Sequence, residues 1–151
     1  MSGRGPASEF ESAEASPGLL LWRVTLAWQR HMRAALAPHD LTHVQFVLLA
    51  SVWWLVDHGG PPSQQRLAVH AGTDPMMTSQ VVRRLADRGL LTRAPDPGDA
   101  RARLLDITGP GREVLAGALA DVEAADRAWF GGLGPGYPAF LAGLQALDAH
   151  E

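Results

Sequence analysis

The chain has 151 residues, 46% of them apolar, enough for one domain with a buried core. It contains no cysteine, which excludes disulfides, thiolate metal sites and thiol redox switches, and no apolar run reaches the ~18 residues of a membrane span. The formal net charge of -3 argues against a nucleic-acid partner until its distribution is followed along the sequence.

Residues 1–17 carry Arg4 against Glu9, Glu11 and Glu14, with Ser, Gly and Ala between them. No basic segment precedes an apolar one, so this is not a secretory signal. The composition predicts a disordered arm, or one draped on a partner, and a cytoplasmic protein. Residues 18–37 read as a helix with Leu20, Val24, Ala27 or Trp28, His31 and Ala35 on one side, ended by Pro38. Thr42 caps a second helix running to about Asp57, apolar almost all round from Val44 to Val56 and therefore central to the fold. Gly59, Gly60, Pro61 and Pro62 stop it and serve as a linker.

Ser63 then caps a short helix with Leu67, Ala68 and Ala71 on one flank, and Gly72 makes a tight turn into the next. That next helix has its limits written in: Thr73 or Asp74 as cap, Pro75 in the first turn, Gly89 as the stop. Thr78, Val81, Val82 and Leu85 face a core at helical spacing. Met76, Met77, Ser79, Gln80, Arg83, Arg84 and Arg88 occupy the other side, where the one carboxylate is Asp87, near the end. Two helices joined by a glycine turn form a helix-turn-helix. Taken alone, the outer stripe is also what an ordinary solvated helix shows.

Residues 90–94 and 103–108 read as extended runs around a Pro- and Gly-containing loop at 95–102, a β-hairpin with a long loop. A helix-turn-helix followed by such a hairpin is a winged helix. A long helix from residue 110 to about 130 carries the stripe Val114, Leu115, Ala118, Leu119, Val122, Ala125 and Trp129, wide enough for its own core and a partner. The glycine-rich segment 131–136 lacks the Lys-Ser/Thr ending and preceding strand of a phosphate loop, so it reads as an interhelix turn. Residues 138–150 form a last helix with Phe140, Leu144 and Leu147 on one side.

The charge follows this division. Residues 60–103 hold Arg66, Arg83, Arg84, Arg88, Arg93, Arg101 and Arg103 against Asp74, Asp87, Asp96 and Asp99, a basic excess. Residues 110–151 hold Arg112 and Arg127 against Glu113, Asp121, Glu123, Asp126, Asp148 and Glu151, an acidic one. A basic middle and an acidic tail mark one face for phosphates and keep the other away from them.

Several blocks stand in a set order: Leu41-Thr42 followed by Gln45-Phe46, the capped helix, Gly89-Leu90 followed by Arg93, Asp99 followed by Arg101, and Ile107-Thr108 followed by Gly111. From about residue 18 onward the chain resembles the MarR family of transcriptional regulators. The resemblance implies a mainly α fold with a small β-hairpin wing. Residues 18–151 would form a single domain, with a winged helix-turn-helix lobe at 41–109 and a helical dimerisation region from 18–37 and 110–151. It departs from the family pattern at Met76 and Met77, where small hydroxyl residues are common, and at Gln80, often Arg. These departures bear on the DNA sequence read and not on the fold.

As a homodimer on pseudo-palindromic double-stranded DNA, the molecule would place Ser79, Gln80, Arg83 and Arg84 in the major groove, where carboxamide and guanidinium forks pair with base edges. Arg101 would enter the minor groove with Asp99 holding it in place and Arg103 nearby, and Ser63 and Arg66 would meet phosphate. Met76 and Met77 either touch thymine methyls or pack into the helix-turn-helix core. The resemblance also implies a small-molecule effector, aromatic or anionic, between the stem and the lobe, with Trp22, Arg23, Arg30, His31, Trp53, Trp54 and His58 as candidate walls. No cofactor and no metal is expected; His39 and His43 with Asp40 straddle a turn and make a poor ligand set. No nucleophile-base arrangement or paired carboxylate supports catalysis. The alternatives are a winged-helix adaptor for protein contacts, and a small-molecule binder or enzyme built on the tryptophans without DNA activity.

Overall fold

Proline, glycine and capping residues divide the chain into six α-helices and one hairpin among the described residues. The computed structural model describes residues 6–149; the start of the expected arm, residues 1–5, lies outside them. Ala13–Ala15 form a 3-10 turn, and Ser16 caps α1 (Pro17–Leu36) by accepting from the Leu19 amide at 3.3 Å. A second 3-10 turn, Ala37–His39, ends at Asp40 in the left-handed region. Thr42 and Gln45 form a reciprocal capping box on α2 (His43–Gly59), satisfying two amides that the helix start leaves free.

α3 (Gln64–Ala71) starts on Ser63 and ends at Gly72, whose positive φ of 65° suits glycine and makes the tight turn. α4 (Pro75–Asp87) is capped by Asp74, which accepts from the Met77 amide at 2.9 Å. Gly89, at φ 74°, then turns the chain into β1 (Leu91–Asp96), which pairs antiparallel with β2 (Asp99–Ile107). Thr108 caps α5 (Gly109–Phe130), and a 3-10 segment, Gly131–Gly136, leads into α6 (Tyr137–Asp148).

The core is built around α2, which buries Phe46, Leu48, Leu49, Val52 and Leu55. Around it pack Met32 and Leu36 of α1, Leu67 of α3, Val81, Val82 and Leu85 of α4, Leu91, Leu105 and Ile107 of the hairpin, and Leu115, Ala118 and Val122 of α5. Each fully buried Leu or Val contributes about 1.5–3 kcal/mol by leaving water, so this cluster fixes how α4 sits relative to the hairpin.

Three expectations are corrected. The face of α1 turned to the core is Met32 and Leu36, with Trp28 partly buried, whereas Leu20 and Val24 are exposed: the apolar residues of α1 form two stripes, and this protomer's own core covers one. The hairpin loop is short. Its strands extend through Pro95 and Arg103 to a turn at Pro97 and Gly98, because Pro95, without an amide to donate, sits where the register shifts. The linker is also more than a linker: the Leu105 amide donates to the Pro62 carbonyl at 2.9 Å and Ser63 bridges Leu104, so this segment flanks β2 and ties the start of α3 to the wing.

Candidate nucleic-acid interface

α4 presents two faces because its start is fixed on both sides. Asp74 caps its first turn, and Thr78, fully buried, donates from its hydroxyl to the Asp74 carbonyl at 2.8 Å and shares a 2.7 Å hydrogen bond with the Thr73 hydroxyl. With Val81, Val82 and Leu85 inside, Gln80, Arg83 and Arg84 are exposed, as are Met76 (71%) and Met77 (40%). Neither methionine packs into the helix-turn-helix core. Arg88 belongs to a different contact: its guanidinium donates to the Asp40 carbonyl at 2.7 Å and ties the end of α4 to the turn before α2.

Beside α4 a groove of about 660 Å³ runs between the start of α3 and the hairpin. Ser63, Ser79, Arg83, Asp99, Arg101 and Arg103 line it together, and with them Gln64, Gln65, Arg93 and Asp96. Four guanidiniums thus face two carboxylates. Both carboxylates already accept from the wing's own backbone: Asp96 from the Gly98 amide at 2.8 Å, Asp99 from the Arg101 amide at 2.9 Å. Asp99 therefore positions Arg101 through the main chain, and the four arginines form no ion pair among the described residues. Ser63 Oγ accepts from the Arg66 amide at 3.1 Å, which leaves its own hydrogen to donate outward.

Arg66 is not drawn into this groove; its guanidinium lies against Gly59 at the end of α2, close enough that a Cβ there would stand 3.3 Å from Nη2. Arg93, Gln64 and Gln65 were not singled out from the sequence. The available signals were Arg93's place in the basic run and the two glutamines' place just after the Ser63 cap.

The seven residues expected around an effector are not gathered in one cleft. Trp22, Arg23 and Arg30 are exposed along α1; His31 packs on Trp129 of α5 at 5.4 Å between ring centroids; Trp53 adjoins Trp54, and Trp54 stacks on His58 at 3.7 Å. His58 Nδ1 donates to the Trp54 carbonyl at 2.7 Å, which turns that ring back onto its own helix. A different cleft, of about 400 Å³, is lined by Gln29 and Arg33 of α1, Thr42, His43, Val44 and Val47 around the start of α2, and Thr73 of the turn into α4. Burial holds His43 below the usual imidazole range, with Asp126 opposing the shift and Arg33 adding to it, so the ring is a neutral wall beside a fixed cation. His39 donates to Asp121 at 2.6 Å, and among the described residues no three His, Asp or Glu side chains converge as metal ligands.

The fold that carries this helix and hairpin is shared with known proteins. The MarR family profile matches residues 41–102. The uncharacterized HTH-type transcriptional regulator YdcH of Bacillus subtilis is 44% identical over 144 residues, covering 95% of this chain and 97% of its own. The chain belongs to the MarR family. The repressor Rv2887 of Mycobacterium tuberculosis is 33% identical over 113 residues, 75% of this chain and 78% of that one. CouR of Rhodococcus jostii, solved as a transcriptional repressor on a 23-mer DNA duplex, superposes with a TM-score of 0.79 at 26% identity, covering 95% of this chain and 99% of CouR. This MarR-family chain is a transcriptional regulator with a winged helix-turn-helix fold, and no helix among its described residues is long and apolar enough to cross a membrane.

Proposed function

We propose that the protein is a homodimeric repressor that binds a pseudo-palindromic operator, one α4 per half-site, and that it works in the cytoplasm on the chromosome. The observation that carries this reading is the groove in which Arg83, Arg93, Arg101 and Arg103 stand without ion-pair partners among the described residues, beside the exposed Gln80 and Arg84. Gln80 and Arg84 suit base edges in the major groove, Arg101 at the wing suits an adjacent minor groove, and Ser63, Ser79, Arg83, Arg93 and Arg103 suit phosphates. The likeness to CouR on its duplex and to the repressor Rv2887 supports both the duplex partner and the sign of regulation.

A second cleft, at the start of α2, is the candidate effector site that this reading favours. BpsR of Bordetella bronchiseptica, 25% identical with a TM-score of 0.80, is regulated in its DNA binding by 6-hydroxynicotinic acid, an aromatic carboxylate. Here Arg33 offers a cation, Val44 and Val47 offer apolar walls, and Thr73 connects the cleft to α4 through Thr78. An aromatic carboxylate seated there would bear directly on the turn that sets the start of the reading helix. It would shift operator affinity by no more than its preference for one arrangement over the other.

A gel shift on the DNA upstream of the protein's own gene, with a salt titration, tests the reading. If each protomer meets three to four phosphates, log K falls against log salt with a slope of about -6. Arg101→Ala should weaken binding on every sequence, whereas Gln80→Ala should change preference at one base step. Equal behaviour of the two variants, or salt-independent binding, overturns the assignment. In a panel of aromatic carboxylates, any compound that releases the wild type should fail on Arg33→Ala; release that persists would remove the effector from this cleft.

A further inference from the structure

α4 hides every large apolar residue except two. Val81, Val82 and Leu85 are buried, while Met76 and Met77, in the first turn, are exposed on the side that carries Gln80. They precede Gln80 by four and three residues, the spacings that put side chains next to each other on one helical face. Neither methionine joins the core cluster among the described residues, and the first turn is already held by the Asp74 cap and by Thr78.

The major groove offers an amphipathic pair of this kind a specific partner. Its one apolar feature is the C5-methyl group of thymine, and a carboxamide fork pairs bidentately with the N6 and N7 edge of adenine. Methionine, unbranched and polarisable, adapts to a methyl group whose position it does not have to fix. Distance sets the register. Four helical residues advance about 6 Å along the axis, against about 3.4 Å per base pair along one strand. A helix lying along the groove therefore brings Met76 and Gln80 to base pairs no more than about two steps apart.

We infer that Met76 and Met77 read thymine methyl groups, so that each operator half-site carries a thymine within two base pairs of an adenine read by Gln80. The inference rests on the duplex-binding reading above and adds to it the chemistry of the sequence read. Substituting deoxyuridine for thymine tests it, because the change removes one methyl and leaves every hydrogen-bonding edge in place. An operator is first selected from randomised duplexes with the full-length protein, and each thymine of the half-site is then replaced singly.

The expected result is that one or two positions, within two base pairs of the pair at which Gln80→Ala alters preference, lose about fourfold in affinity per methyl. The double variant Met76→Ala, Met77→Ala should bind the thymine and deoxyuridine duplexes equally. Both positions are exposed and alanine favours the helix, so the variant's thermal melt should match the wild type. Indifference of the wild type to every substitution overturns the inference while leaving duplex binding intact, as does a double variant that keeps the wild-type sensitivity. Failure of the wild type to select any duplex overturns the underlying reading, and the inference with it.

Discussion

His43 shows how one side chain's surroundings become a property of the fold. It opens α2, meets the Trp28 ring edge-on at 5.0 Å between centroids, and lies near Asp126, which itself accepts from the Trp28 indole at 2.9 Å. Burial lowers its pKa, partly offset by Asp126 and reinforced by Arg33, so the folded chain prefers the neutral ring. The unfolded chain then takes up the proton first as pH falls below about 6.5, the ordinary imidazole value. Stability is therefore full above that pH and is lost as pH drops toward the lowered folded value. Melting curves at pH 7.5 and pH 5 should show the wild type losing more than His43→Gln does over this interval; parallel losses would mean that other groups carry the acid response. None of this surrounding was legible in the sequence, which placed His43 at a helix start and could not pair it with Trp28 or with Asp126 far along the chain. Thr78 is the converse case. Helical spacing put it among the core residues, and the buried hydroxyl is tolerated because it bonds to the Asp74 carbonyl and to Thr73.

Among the elements, the junction of wing and stem shows what local signals can and cannot convey. Thr108 caps α5 by accepting from the Gly111 amide at 3.0 Å, and its hydroxyl donates to the Gly89 carbonyl at 2.6 Å. The block of Thr followed three residues later by Gly was visible in the sequence, but its reason lies in another element. A Cβ on Gly111 would collide with the Leu90 carbonyl oxygen and stand 3.0 Å from Ile107 Cγ1, so only glycine lets α5 approach the start of the hairpin this closely. Gly111→Ala should destabilise the protein by about 1–3 kcal/mol, since the backbone must move to admit the methyl. Urea denaturation measures the loss, and an unchanged midpoint would show that the backbone at Leu90 yields to the methyl without cost. The helices themselves were legible to within one or two residues at their capped starts, because Ser63, Asp74, Thr42 and Thr108 act on amides three residues away. The length of the wing strands was not, because Pro95 ends a strand by local rules and here continues one through a register shift. The basic groove was half legible: the Asp99 and Arg101 motif and the α4 stripe named most of its walls, while Arg93, Gln64 and Gln65 join only once Pro62 and Ser63 flank β2.

For the molecule as a whole, the core closes on one side only. α6 buries none of its residues, and Tyr137, Phe140, Leu141, Leu144 and Leu147 are exposed together with Leu19, Leu20, Leu21, Trp22, Val24 and Leu26 of α1. Apolar surface of that extent at both ends of one chain is an aggregation liability in a monomer and an interface in a dimer. The sequence displayed the stripes, but a stripe does not say which copy it packs on; the filled core, which takes Met32 and Leu36 and leaves Leu20 and Val24 outside, makes a second copy the consistent answer. A two-fold dimer would hold both α4 helices at one separation and convert two weak half-site contacts into one strong operator contact by effective concentration, worth about 10²–10⁴ in affinity. Replacing Leu141 and Leu144 by Asp removes that advantage without touching the lobe, because both lie on α6, outside the core cluster. Light scattering should then report a monomer whose affinity for a single half-site is unchanged and whose affinity for the full operator falls to that half-site value. A variant that stays dimeric would place the interface elsewhere, and one that is monomeric yet keeps full operator affinity would show that the two lobes are not coupled through the stem.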